Sequence, residues 1–288
     1  MLLDPETFAL APGVERLLGP EGVKTELFSC LVETNTPVCE TAFEAQEELV
    51  RLRRLVAERA ARENLLVAAS GAHPFSIPEE QPIVDEPRYL EMVEELGPIA
   101  KGQLVCGLHV HVGMESFEAC LRALAGIRPW LSAVLGLSAN SPYLAGEETG
   151  ALSSRLARLR RLPRAGTPPL LETVAEWEAE VAAAGVDYTR IWWDARPHPR
   201  LGTLEVRIAD QATSVDRAAA VVALVQALCA APPEPGSHLL DAVEPAAREL
   251  GTWELVETLR EPPEAFRQLE VGRSEGLRAV AADVVVRS

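Results

Sequence analysis

The sequence lacks an uninterrupted apolar run near the roughly 18–20 residues that a membrane-crossing helix needs. Its first residues, Met1-Leu2-Leu3-Asp4-Pro5, carry neither the basic region nor the continuous apolar stretch of a secretory signal. Five cysteines (Cys30, Cys39, Cys106, Cys120 and Cys229) make no CxxC pair and are odd in number. That argues against a disulfide framework or a zinc–thiolate site and for reduced, core-packed thiols in a cytoplasmic protein. Neither a GxGxxG fingerprint nor a Walker loop is present, so a nucleotide would have to be held by side chains on a sheet. Positive charge is also short: 27 Lys and Arg against 43 Asp and Glu give a net charge of -16. Such a surface repels phosphate backbones and anionic lipids, which argues against nucleic-acid and membrane partners. No internal repeat or low-complexity linker divides the chain. What remains is an acidic, globular chain of 288 residues whose 48% apolar content can fill a sizeable core.

Element signals mix without a regular strand–helix–strand period. Residues 22–36 read as one extended stretch ending at Pro37. Thr41 followed by Glu44 is a capping-box signature that opens a helix from Ala42 to about Asn64. Residues 65–69 form a short apolar strand, 85–95 a helix, 103–113 an alternating strand, and 115–137 an apolar helix with a break at Pro129. A loop over 138–150, a helix over 170–184 closed by Gly185, a strand over 202–210 and a helix over 214–230 follow. From Pro232 onward, a turn leads into a tail of two or three amphipathic helices. This succession predicts an α+β fold, with residues 1–288 as one domain and 232–288 as its helical tail.

Four groups of residues could carry chemistry. In the 103–113 strand, alternation sets Gly107, His109, His111 and Gly113 on one face and Leu104, Leu108, Val110 and Val112 on the other. Two imidazoles flanked by glycines suit a metal or a phosphate, or are simply half-buried histidines bonded to sheet neighbours. In the 202–210 strand, Glu205 and Arg207 share a face opposite Leu204, Val206 and Ile208. They read as an ordinary ion pair, or as a Mg²⁺ ligand beside a phosphate clamp. Glu26 and Glu33 differ by seven, so a regular strand sends them to opposite faces, and a shared site requires a bulge or bend. Finally, Arg155, Arg158, Arg160, Arg161 and Arg164 crowd ten residues of an acidic chain. They are either helix-end cations or a local site for a polyanion such as ATP.

Taken in order, several segments resemble the type-2 glutamate–cysteine ligase family, carboxylate–amine ligases related to glutamine synthetase. They are Leu3-Asp4-Pro5-Glu6-Thr7, Glu26-Leu27-Phe28 through Val32-Glu33-Thr34-Asn35-Thr36-Pro37-Val38-Cys39, and Gly71-Ala72-His73-Pro74-Phe75. Cys106-Gly107-Leu108-His109-Val110-His111-Val112-Gly113 and Leu137-Ser138-Ala139-Asn140-Ser141-Pro142 come next. Pro163-Arg164-Ala165-Gly166, Trp193-Asp194-Ala195-Arg196-Pro197 and Gly202-Thr203-Leu204-Glu205-Val206-Arg207 complete the series. The resemblance spans about residues 3–230. It implies a curved, mainly antiparallel sheet with helices outside and a concave face for ATP, Mg²⁺ and an amino-acid carboxylate. It further implies Glu33, His109 and Glu205 as metal ligands, with Arg207, Arg155, Arg164 and His111 toward the nucleotide phosphates. Glu205, Arg207 and Arg164 would be the catalytic groups, and Glu26 and Asn140 would meet the substrate. Partners would be small amino-acid substrates and a second copy of the chain. The family's usual Gly-Val-Glu-Glu-Glu strand ahead of the Asp4 segment, and an Arg/Asn-rich stretch after the last sheet helix, do not occur among these residues. The expectation is therefore weakened catalysis more than weakened binding, and an open sheet edge that favours self-association.

Overall fold

Antiparallel pairing organises every strand of this computed structural model, which describes residues 1–236 and 238–288. Among the described residues the strands form four small sheets instead of one continuous one. The largest has Thr203–Val206 at its centre, with Val110–Gly113 on one side and Ala195–His198 on the other. Leu2–Leu3 pairs with Leu66–Val67, Val23–Thr25 with Val32–Thr34, and Tyr143–Leu144 with Glu147–Glu148. The expected α+β class holds. The single extended stretch over 22–36 does not: it is a hairpin whose register pairs Lys24 with Glu33.

One face of the central sheet is apolar, as its alternation dictates. Val110, Leu204, Val206 and Ala195 point into the larger core, against the helices Phe117–Ile127 and Val215–Ala230. The Val215–Ala230 helix is enclosed nearly all round, with ten of its residues buried. Helix starts follow their caps. Thr41 Oγ1 accepts from the Glu44 amide at 3.1 Å, although Glu44 reaches Glu40 and not Thr41, so only half the capping box forms. The helix is Ala42–Arg62. The Val174–Ala184 helix ends at Gly185, left-handed at φ 65°, as a C-cap glycine allows.

The 117–138 run is long and apolar enough, by length and composition alone, to cross a bilayer, although charged residues interrupt it. Here Pro129 breaks it into Phe117–Ile127, a 3-10 turn and Leu131–Ser138, and Leu121, Leu124, Ile127 and Val134 pack into the core. Beyond residue 238 there are four α-helices, not two or three: Leu239–Glu249, Trp253–Glu257, Glu264–Glu275 and Leu277–Arg287. Val271, Val280 and Val284 enter a second core with Leu3, Leu27 and Phe28, so this segment is integral packing.

The cysteines are all free thiols. Burial pushes the Cys30, Cys120 and Cys229 thiols up to about 12, which leaves them inert. Cys39 departs from the core reading; half-buried near the surface, it donates to the Pro37 carbonyl.

Candidate functional site

The second face of the central sheet carries the ionisable residues. Register sets His111 opposite Glu205 and Arg196 opposite Glu205 from the other side, so three charged or polar groups form one row across three strands. Glu205 is 3% exposed. Its Oε2 accepts from Arg196 Nε at 2.7 Å and its Oε1 from Arg207 Nη1 at 2.5 Å. His109 Nδ1 and His111 Nε2 stand 3.6 and 3.8 Å from the same Oε1. Burial by itself would raise the Glu205 carboxyl, but Arg207 and then Arg196 outweigh it and hold the group well below the usual carboxylate range. The carboxylate is charged at any working pH.

His109 keeps 39% of its side chain accessible and His111 33%. Both imidazoles are nonetheless lowered, chiefly by desolvation; Arg207 adds to this at His109, while Glu205 opposes it at both. Groups that water can touch but that protein surrounds lie in a recess. At neutral pH both rings are uncharged. His111 Nδ1 is fixed by Thr203 Oγ1 at 2.9 Å, and its ring meets His198 edge-on at 5.5 Å, with Tyr188 beyond.

A bulge explains where Arg207 goes. Val110 pairs with Val206 while Gly107 pairs with Asp210, three steps along one strand against four along the other. The extra residue falls over 207–209, and it leaves the carbonyls of Arg207 and Ile208 without ladder partners. Arg155 fills the gap, donating to those oxygens at 2.8 and 3.0 Å. A Cβ on Gly107 would lie 2.1 Å from Arg155 Nη2, so the glycine makes room for this arginine, and not for a ligand.

Two expectations are corrected by burial. Arg155 is 2% exposed with both Nη groups on backbone carbonyls, so it braces the bulge under Arg207 instead of clamping phosphate. Asn140 is fully buried: its Nδ2 donates to the Gln211 carbonyl and Thr213 Oγ1, and its Oδ1 accepts from Gln268. No substrate can reach an amide so enclosed.

The expected metal set also fails to assemble. Among the described residues, no three His, Cys, Asp or Glu side chains gather closely enough to hold an ion. Both oxygens of Glu205 already face arginines, which oppose a further cation there. Glu33, His109 and Glu205 therefore do not fit a Mg²⁺ cage. Glu26 and Glu33 are drawn toward one region by the hairpin: Glu26 is raised to about 7, mainly by desolvation, with Glu33 adding to it and Arg88 and Arg207 opposing. Arg164 lies on the loop that follows Ser154–Leu159, where its Nε donates to the Arg190 carbonyl at 3.2 Å.

The residues that sequence reasoning missed sit on the Ala195–His198 strand. Arg196 not only pairs with Glu205 but also donates to the carbonyls of Tyr188, Thr189 and Ile191, fixing the turn beside the site. Next to it, Asp194 takes a two-pronged bond from Arg160 at 2.6 Å for each oxygen. Asp194-Ala195-Arg196 carries the charged–apolar–charged alternation of a half-buried strand, but Pro197 beside it masks that signal.

A "Putative glutamate--cysteine ligase 2" of Herpetosiphon aurantiacus is 38% identical over 238 residues, 79% of this chain and 62% of that protein. A "Putative glutamate--cysteine ligase 2-3" of Rubrobacter xylanophilus is 40% identical over 245 residues, 81% of this chain and 68% of that protein. The chain thus spans about six to seven tenths of these relatives. In fold, it resembles a bifunctional glutathione synthetase from Pasteurella multocida, at a TM-score of 0.50 and 14% identity, over 96% of this chain and 46% of that one. The model of glutamate-cysteine ligase family 2 matches residues 5–274, and the chain belongs to that family.

Proposed function

We propose that this chain carries the catalytic face of an ATP-dependent ligase that activates a glutamate-type carboxylate as an acyl phosphate and joins it to cysteine or another amine. The observation that carries the reading is the row Arg196–Glu205–His111 with Arg207 and His109 on the same sheet face, backed by a wholly apolar opposite face. Arg207 is the group to meet phosphate. Among the described residues its protein acceptor is Glu205, at Nη1, so its Nε and Nη2 donors remain for a ligand. Glu205 keeps that guanidinium aimed, and Arg155 fixes the backbone beneath it. As a carboxylate oxygen of the substrate attacks the γ-phosphorus and ADP departs, negative charge builds on the departing β-phosphate oxygen and is spread over the three equatorial oxygens of the transferred group. A preorganised guanidinium stabilises that charge without reorganising. The amine then attacks the acyl carbon, inorganic phosphate leaves, and the nitrogen sheds its proton. Glu26, half-buried in the hairpin loop with its carboxyl raised to about 7, would pair with the substrate's ammonium group as that binding releases its proton to solvent.

The test is release of ADP and phosphate with ATP and glutamate, varying the amine and omitting each component in turn. Turnover that depends on both the carboxylate and the amine supports the reading, and nucleotide hydrolysis indifferent to both defeats it. A second reading, binding of nucleotide or ligand without turnover, is favoured by the two arginines that already take both oxygens of Glu205. Calorimetric ATP binding with no product under any combination would select it.

A further inference from the structure

Arg164 is held in a costly state on two counts. Its φ of 59° is left-handed, a conformation that few residues other than glycine adopt. Its Nη2 is buried yet makes no hydrogen bond. The nearest acid is Glu95, whose Oε1 stands 3.9 Å from that nitrogen, within reach of charge but beyond a hydrogen bond. The other Glu95 oxygen is ion-paired with Arg190, 2.5 Å from its Nη2. Trp192 lies beneath, with the Arg164 guanidinium 5.9 Å from its ring centre. Two guanidiniums therefore share one carboxylate, which stands within hydrogen-bond distance of Arg190 alone.

That carboxylate comes from elsewhere in the fold. Glu95 ends the helix Pro87–Leu96, none of whose residues is fully buried. The opposite end of this helix is tied to the Val23–Thr25 hairpin, where Tyr89 Oη donates to the Thr25 carbonyl and Arg88 to Thr25 Oγ1. The hairpin leads straight into Glu26, and the loop bearing Arg164 adjoins the site's edge strand through the Gly166–Trp193 bridge. The helix thus links the hairpin that leads into Glu26 to the segments that carry Arg164 and Arg190.

We infer that Arg164 and Arg190 form an oxyanion subsite, for a substrate carboxylate or a nucleotide phosphate, in which Glu95 is an internal occupant that the ligand displaces. A free oxyanion can approach both guanidiniums at hydrogen-bond distance, which Glu95, tethered to its helix, does for Arg190 alone. Displacement then releases the outer end of the helix while its inner end stays tied to the hairpin. The subsite rests on the ligase reading for the identity of its ligands, but its occupancy by Glu95 does not.

The test is calorimetric titration of the full chain with L-glutamate, ATP and inorganic phosphate as separate probes, for the unaltered protein, Glu95→Gln and Arg190→Gln. Glu95→Gln should tighten binding of at least one probe by about 3- to 10-fold, the gain expected if the subsite is open between a third and a tenth of the time. Tightening by glutamate alone marks a carboxylate subsite, and tightening by ATP and phosphate marks a phosphate subsite. Arg190→Gln should weaken that same probe. A merely structural Glu95 would instead lower the melting temperature and leave affinities unchanged or weaker. No gain for any probe in a folded Glu95→Gln protein overturns the proposal. Ligase turnover with no such gain overturns the subsite alone, and a gain with no ligase turnover overturns the catalytic reading alone.

Discussion

Glu205 and Asp210 lie five residues apart on the same stretch of chain, are almost equally buried, and have opposite electrostatic fates. Asp210 is bound by neutral donors: the Asn140 amide at 2.9 Å and the Ser141 and Ser153 hydroxyls at 2.7 and 2.8 Å, with Arg155 farther off at 3.8 Å. Burial dominates there, and its carboxyl is raised. Glu205 is bound by two guanidiniums and stays ionised. Hydroxyls and amides satisfy a carboxylate's lone pairs but cannot cancel its charge, whereas arginines do both and retain donors for something else. One carboxylate closes a knot, and the other aims a cation.

The contrast can be broken at its strongest point. Asp210→Ala should strand the Asn140 amide, both serine hydroxyls and Arg155, and cost about 3–5 kcal/mol. In urea this appears as a lower midpoint with an unchanged slope. A loss smaller than that of Glu205→Gln would reverse the ranking of the two residues.

Next, Glu205→Gln should cost about 1–3 kcal/mol, because an amide oxygen still accepts from one arginine but leaves the pair without a counter-charge. The same variant should lose ligase turnover. Inorganic phosphate should then raise its melting temperature more than that of the unaltered protein, since the oxyanion replaces the lost charge. An identical phosphate response in both proteins would mean that Arg196 and Arg207 are closed to ligands.

The third test sharpens the comparison with pH. Glu26 is raised to about 7 from 4.5, so the folded chain holds a proton there that the unfolded chain has lost. Stability should therefore fall as pH rises from about 4.5 to 7. Glu26→Gln should flatten that slope in urea titrations at a series of pH values. Glu205 works the other way: its contribution is complete above 4.5 and is lost only as pH falls through its depressed folded value. The smallest effect belongs to the surface. Arg273 and Glu148 pair at 2.5 Å in the open, and Arg273→Ala should leave the unfolding midpoint unmoved.

The chemistry-bearing alternation was legible because it is a property of period two. His109, His111, Glu205 and Arg207 come together on the side opposite Val110, Leu204 and Val206, as their spacing requires. Helices with a polar cap or a closing glycine, at Thr41 and Gly185, were legible for local reasons. The Ala195–His198 strand was not, since Pro197 argues against a strand unless it lies on an edge, and the edge position is tertiary information. Nor could spacing distinguish Arg155 from Arg164. Both are arginines in one basic segment, but only the bulge opposite Gly107 turns the first into a brace. Asn140 was misassigned for the same reason. A polar residue in a family motif looks like a contact to substrate until its hydrogen bonds are traced.

The knot around Asp210 also bears on how the chain folds. Ser70, Asn140, Asp210 and Gln268 are spread over most of the sequence, yet Gln268 Nε2 reaches Ser70 Oγ and Asn140 Oδ1, and the Asn140 amide reaches Asp210. A Cβ on Gly71 would lie 2.7 Å from the Asp210 carboxylate, so the segments meet at close quarters. Each of these contacts closes a loop of some sixty residues or more, whose entropy is lost before any bond forms. Folding should accordingly be slow and late-committing. The bonds of the knot should open together, because Ser70, Asn140, Asp210 and Gln268 hold one another across it.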